Sequence, residues 1–176
     1  DYRITFELLT KLYHHLLNKI DDSKQMIIMG DSAGGQIALA FVQQLKKDSE
    51  PQPSHIVLIS PVLDATFSNP EARKYEKEDP MLGIEGSKYL VNLWAGDAPL
   101  DHYKLSPMYG DLEDLGHITI TTGTKETLYP DAVKFSTMLN EKGINHEFIP
   151  GYSLFHIYPI FPIPERERFL EQLKRI

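Results

Sequence analysis

The chain contains no cysteine. Disulfides, zinc–thiolate sites and cysteine nucleophiles are thereby excluded, while the redox compartment stays open because a cysteine-free protein folds in either setting. Long hydrophobic runs are lacking as well. The longest, Ile37 to Val42, falls far short of the roughly 18 residues that a membrane helix needs, so no membrane span is expected. The expected location, not fixed by that absence, is cytoplasmic. Positive charge is scarce: 18 Lys and Arg stand against 25 Asp and Glu, a net charge of −7 and a pI near 5.5. Without a basic stripe to follow a phosphate backbone, a nucleic-acid partner is not expected. The seven histidines show no HExxH or paired spacing, so neither a metal nor another cofactor is expected.

What is present is ordinary globular material. Of the 176 residues, 41% are hydrophobic and 24% charged, enough for one domain spanning 1–176. Ile4, Leu8, Leu12, Leu16 and Ile20, reinforced by Leu9, Tyr13 and Leu17, predict an amphipathic helix over 4–20. The chain opens at Asp1 without Met and enters this helix directly, which reads as a cut within a longer polypeptide. Met26-Ile27-Ile28-Met29, stopped by Gly30, predicts a strand buried on both faces. A largely buried helix follows over 33–47, then a second buried strand over 55–60. Residues 62–116 form a less regular insertion with Pro70, Pro80, Pro99 and Pro107, and one helix over 87–95. A β-branched strand over 118–122 ends at Gly123. Next come a helix over 131–142 with Gly143 at C′, a half-polar edge strand over 146–149, and a helix opened by Pro164 whose face is Phe169, Leu170, Leu173 and Ile176. Strands alternating with helices predict an α/β fold, a mostly parallel sheet with helices on both faces.

The chemistry is concentrated between the first strand and the second helix. Gly30-Asp31-Ser32-Ala33-Gly34 fits G-x-S-x-G, the nucleophile elbow in which a strand turns sharply into a helix and leaves a serine hydroxyl on a strained corner. Glycines at 30 and 34 remove Cβ atoms that would collide there. The helix N-terminus and the Ala33 N–H then offer positive partial charge where an oxyanion would form. Such a serine needs a base, and the base needs an orienting carboxylate, in the chain order Ser, acid, His and on loops after later strands. Glu126 is the first carboxylate past the strand that ends at Gly123. Asp131 competes with it but is expected to cap the helix beginning there. His156 follows the last strand. The other histidines lie on the first helix (His14, His15), at strand starts (His55, His117, His146) or in the irregular stretch (His102).

The string Gly30 to Gly35, GDSAGG, resembles the elbow of hormone-sensitive-lipase-like esterases of the α/β-hydrolase fold. Ser60-Pro61-Val62-Leu63-Asp64 is similar to that family's segment after the next strand. Gly123 to Asp131 resembles its acid loop, and Phe155 to Pro159 its histidine loop. The resemblance runs over nearly the whole chain. It implies a carboxylic-ester hydrolase acting on a small-molecule ester, short acyl chains first, through an acyl-enzyme, with Ser32 as nucleophile, Glu126 as acid and His156 as base. The acid is commonly Asp in this branch and Glu here. The family's HGGG-type oxyanion loop has no counterpart, since only 29 residues precede Gly30 and no HGG or GGG string occurs.

The resemblance therefore also implies the C-terminal portion of such an enzyme, lacking the early strands. An apolar strand with an open edge is a template for association, so a missing N-terminal segment or a second copy is expected to pair along residues 26–29. Two other functions share the scaffold: a non-catalytic relative or inactive fragment, and a serine peptidase or acyltransferase.

Overall fold

The computed structural model describes residues 1–175. It contains α1 (Tyr2–Leu17), β1 (Ile27–Asp31), α2 (Ala33–Lys47), β2 (His55–Ile59), a single turn α3 (Ala72–Tyr75), α4 (Ile84–Ala95), β3 (His117–Gly123), α5 (Tyr129–Glu141), β4 (His146–Gly151) and α6 (Pro164–Leu173). The strands form one sheet in the order β1-β2-β3-β4, every pair parallel. Parallel neighbours need crossovers, and α2, the long 62–116 connection and α5 supply them.

Alternate residues of the strands face two apolar layers. Ile56, Leu58, Ile118 and Ile120 pack on one face beneath Ala38, Leu39 and Val42 of α2 and Ala132, Phe135 and Leu139 of α5. Val57 and Ile59 point the other way, onto Phe169 of α6. Helices thus cover both faces, as the alternation predicted. Ile176, expected on the α6 face, lies outside the described residues. Gly143 takes φ +67 beyond the end of α5, and the Ile144 N–H returns to Leu139 O at 2.9 Å, the C-terminal closure expected of a glycine there.

Two expectations are corrected. In α1 the i, i+4 stripe is not the packed face: Ile4, Leu8 and Leu12 are 61, 59 and 52% exposed, whereas Tyr2, Phe6 and Tyr13 are buried. The aromatic rings have larger surfaces to bury and make edge contacts, Tyr13 on Phe41 among them, so they set the rotation of the helix and leave the leucines on its flank. Nor is β1 buried on both faces. Among the described residues it is an edge strand paired only to β2, with Ile28 inward and Ile27 and Met29 about half exposed. Its apolar run reports side chains suited to a core, not the presence of a neighbour. β4 is the opposite edge, as its half-polar sequence predicted.

The 62–116 stretch is irregular yet anchored. Asp64 is buried there; burial opposes its charge, but hydrogen bonds from Thr66, Tyr109 and Ser68 outweigh it and hold the pKa below the ordinary carboxylate value. Among the described residues no helix is long and apolar enough to cross a membrane.

Tyr13 ties α1 to the loop before β2, its hydroxyl donating to Pro51 O at 2.5 Å. Burial, then the Glu50 charge, push its pKa from 10 to about 12. A raised phenol pKa means stability fully present below pH 10 and lost as pH rises through 12. The loss should amount to about 2–3 kcal/mol at 1.36 kcal/mol per unit. Melting curves between pH 9 and 12 should fall less steeply for Tyr13→Phe than for the parent chain.

Candidate active site

β1 runs into α2 through Ser32, which sits at φ 52, ψ −118. A non-glycine residue there costs of order 1–3 kcal/mol and persists only where its surroundings hold it. They do: the Ser32 N–H donates to Ile59 O at 2.8 Å, and Ser32 O accepts from the N–H of Val62 at 3.1 Å and of Gln36 at 3.2 Å. A Cβ on Gly30 would lie 2.1 Å from Gly34 O, and one on Gly35 would lie 2.8 Å from the Pro61 Cβ. The helix can turn back on the strand only because both are glycine. Gly34 differs from expectation, since a Cβ there would meet only Asp31 Oδ1 at 4.0 Å. The close approach falls at 30 and 35, because the first turn of α2 carries residue 34 outward. Asp31 and Ala33 flank the serine and are exposed. Ala33 opens α2, and N–H groups of a first turn have no acceptor within the helix.

The acid and histidine loops meet above the sheet. The Thr124 N–H donates to Gly151 O at 2.9 Å and the Lys125 N–H to Leu154 O at 3.0 Å, fastening the two loops together. His156 is buried, with Nε2 3.0 Å from Ser32 Oγ. Its Nδ1 lies 3.3 Å from Oε2 of Glu126, which is fully buried. Facing a carboxylate, Nδ1 carries the proton, and Nε2 is left to accept from the serine. Glu126 receives further donors, Thr122 Oγ1 on Oε1 and Ser60 Oγ on Oε2, the latter at 2.8 Å.

Asp131 has a different partner. α5 begins at Tyr129 with Pro130 in its first turn, and Leu128, at the N-cap position, makes no side-chain cap. Asp131 is therefore inside the helix and does not cap it. Its Oδ1 accepts from Asn69 Nδ2 at 2.8 Å, and burial raises its pKa. Four of the other histidines are engaged with side chains elsewhere: His14 contacts Glu50 at 2.8 Å, the rings of His55 and His117 lie 5.4 Å apart, and His146 contacts Ser136 at 2.7 Å. Thr122 and Ser60 were not anticipated as site residues; Ser60 lies within a quoted segment, but nothing local marks it as touching a carboxylate 66 positions away.

Ser32 and Ala33 open onto an apolar hollow of about 130 Å³ with Val62, Phe67, Leu82, Leu90 and Leu128 in its wall. Trp94 lines an adjoining hollow beside Ala33, while Tyr103 lines others next to Lys47. A larger hollow, about 670 Å³ between β4 and α6, is lined by none of Ser32, Glu126 or His156. The chemistry, not the volume, singles out the smaller one. Among the described residues no group of three or more His, Asp or Glu could hold a metal ion.

The profile of the α/β hydrolase fold family matches residues 3–160. The chain belongs to the α/β-hydrolase family. This α/β-hydrolase is 31% identical to an esterase of Acinetobacter venetianus over 98% of its own length and 58% of the relative's. It is 30% identical to an acetyl-hydrolase of Streptomyces hygroscopicus, covering 90% of this chain and 54% of that one. A crystal structure from Staphylococcus aureus, assigned as an esterase, superposes with TM-score 0.93 at 31% identity, over 97% of this chain and 58% of that one. An esterase of the bacterial hormone-sensitive lipase family superposes with TM-score 0.86 at 26% identity, over 91% and 55%. The chain thus spans somewhat more than half the length of these relatives.

Proposed function

We propose that the chain carries the catalytic triad of a carboxylic-ester hydrolase, with Ser32 as nucleophile, His156 as base and Glu126 as orienting acid. The observation that carries this reading is the 3.0 Å approach of His156 Nε2 to a serine hydroxyl on a strained turn. The kinship with an esterase and an acetyl-hydrolase supports the choice of ester. Ser32 Oγ attacks the ester carbonyl carbon as His156 Nε2 takes its proton. The tetrahedral oxyanion forms beside the Ala33 N–H and the α2 N-terminus. Collapse breaks the bond to the leaving oxygen, which takes the proton from His156 and departs as alcohol. Water, deprotonated in turn by His156, then releases the acid from the acyl-serine. The small apolar hollow at Ser32 fits short acyl groups.

One backbone N–H is half of a usual oxyanion hole. β1 is the terminal strand of the sheet, which favours pairing along its outer edge with further polypeptide, and the half-exposed Ile27 and Met29 leave apolar surface on one face of it to be covered. The relatives' greater length makes an additional segment of chain the preferred occupant over a second copy, and that segment would bring the remaining donors.

A fluorophosphonate reacts only with a base-activated serine. Labelling followed by peptide mass spectrometry should find the adduct on Ser32, absent from Ser32→Ala. No adduct would favour a non-catalytic relative, and cleavage of amides in preference to matched esters would favour a peptidase.

A further inference from the structure

We propose that Ser60 is a positioning residue that locks Glu126 to the loop bearing His156, an inference that rests on the ester-hydrolase reading above. Ser60 follows β2, is fully buried and takes φ +45, a conformation that disfavours any residue with a Cβ. Its N–H donates to Thr121 O at 2.7 Å, which pins it to β3. Its hydroxyl is shared between two partners from different loops. Oγ accepts from the Ile157 N–H at 3.0 Å and donates to Glu126 Oε2 at 2.8 Å.

The directions are forced. A backbone N–H can only donate, so Oγ accepts there, and its single proton must serve the carboxylate, which when ionised only accepts. The same Oε2 faces His156 Nδ1 at 3.3 Å, and His156 is joined covalently to Ile157, itself at φ +50. Ser60 Oγ, Glu126 Oε2, His156 Nδ1 and Ile157 N therefore close a ring drawn from three separate segments of chain. The hydroxyl sets both the position of the acid and the height of the histidine loop above it. Removing it leaves a buried carboxylate oxygen with one donor fewer and the loop free to shift. The imidazole is then presented to Ser32 less often in the reactive geometry, a fault in rate and not in binding.

The test is saturation kinetics of fluorophosphonate labelling for the parent chain, Ser60→Ala and Ser60→Gly. Glycine removes the hydroxyl while easing the positive φ, so a fold weakened by alanine alone is recognised by its melting temperature. Both variants should lower the maximal labelling rate roughly 10-fold, the order of one charge-assisted hydrogen bond, with the half-saturating concentration unchanged. Added to Glu126→Gln, Ser60→Gly should slow labelling less than it does in the parent chain, because the part of its effect routed through the acid is already cut and only the hold on the Ile157 N–H remains to be lost. Labelling of both variants at the parent rate overturns the proposal, as does an undiminished loss in the Glu126→Gln background. A parent chain that does not label at all removes the ester-hydrolase reading and this inference with it, so the two failures are told apart by the parent alone.

Discussion

Replacing His156 by alanine is expected to slow reaction of Ser32 with a fluorophosphonate, or with a p-nitrophenyl ester, by about 10⁴- to 10⁶-fold. The serine hydroxyl then keeps its proton, having lost the imidazole nitrogen that lies 3.0 Å from it; His14, His55, His117 and His146 are held against Glu50, each other or Ser136. Glu126→Gln should cost about 10⁴-fold, by the precedent of amide replacement at the triad acid in serine proteases. The amide leaves the shape intact but offers an N–H as readily as an oxygen to Nδ1. The imidazole is then no longer held in the tautomer that leaves Nε2 free. Asp131→Asn, at the carboxyl engaged by Asn69, should stay within a few-fold of the parent. Second-order labelling rates rank the three variants. A rate for Asp131→Asn as low as that of Glu126→Gln would move the acid's role to Asp131.

Completing the edge of β1 is expected to have the next largest effect. The 176-residue chain alone should hydrolyse p-nitrophenyl acetate weakly. Fusion before Asp1 of the segment that precedes the matching region in the Acinetobacter venetianus esterase should raise kcat/KM by about 10²- to 10³-fold, the usual weight of one oxyanion donor. The physical reason is that a preorganised N–H costs no reorganisation when charge develops on the carbonyl oxygen, whereas water in its place must turn toward that charge. Pairing should also protect outward-facing amides of residues 27–31 from hydrogen exchange, which gives a readout separate from rate. Full activity of the unfused chain, abolished by Ser32→Ala, would mean that the site needs no donor from beyond β1. A stable dimer of the unfused chain with the same amides protected would transfer the edge to a second copy.

Much of this was legible in residues close together in the chain. The strand–helix alternation, the 33–47 helix with its observed limits, the edge strand before Pro150 and the glycine closing α5 all follow from periodicities and conformational limits within a few positions. The elbow is equally local, because the collision relieved at Gly30 is with Gly34, four residues on. Even there the role of Gly34 was misassigned. The partner that requires glycine is Pro61, against Gly35, a contact made by a different strand's exit.

Sequence by itself determined the chemical types and their order: a serine on a strand-to-helix corner, carboxylates after the third strand, a histidine after the fourth. It did not decide which face of α1 packs, because leucines spaced i, i+4 and aromatics at 2, 6 and 13 describe one wide apolar arc, and only the shape of α2 beneath selects among them. It did not decide between Glu126 and Asp131 by distance, since both closely follow β3 and their separation from His156 depends on where α5 begins, with Asp131 inside it, and on how the preceding loop is fastened to the turn after β4. Nor did it reveal Ser60, whose meaning comes from two partners on other loops. Local pattern reports what a residue can do; which partner it meets is decided when separate crossovers bring their ends to the same end of the sheet.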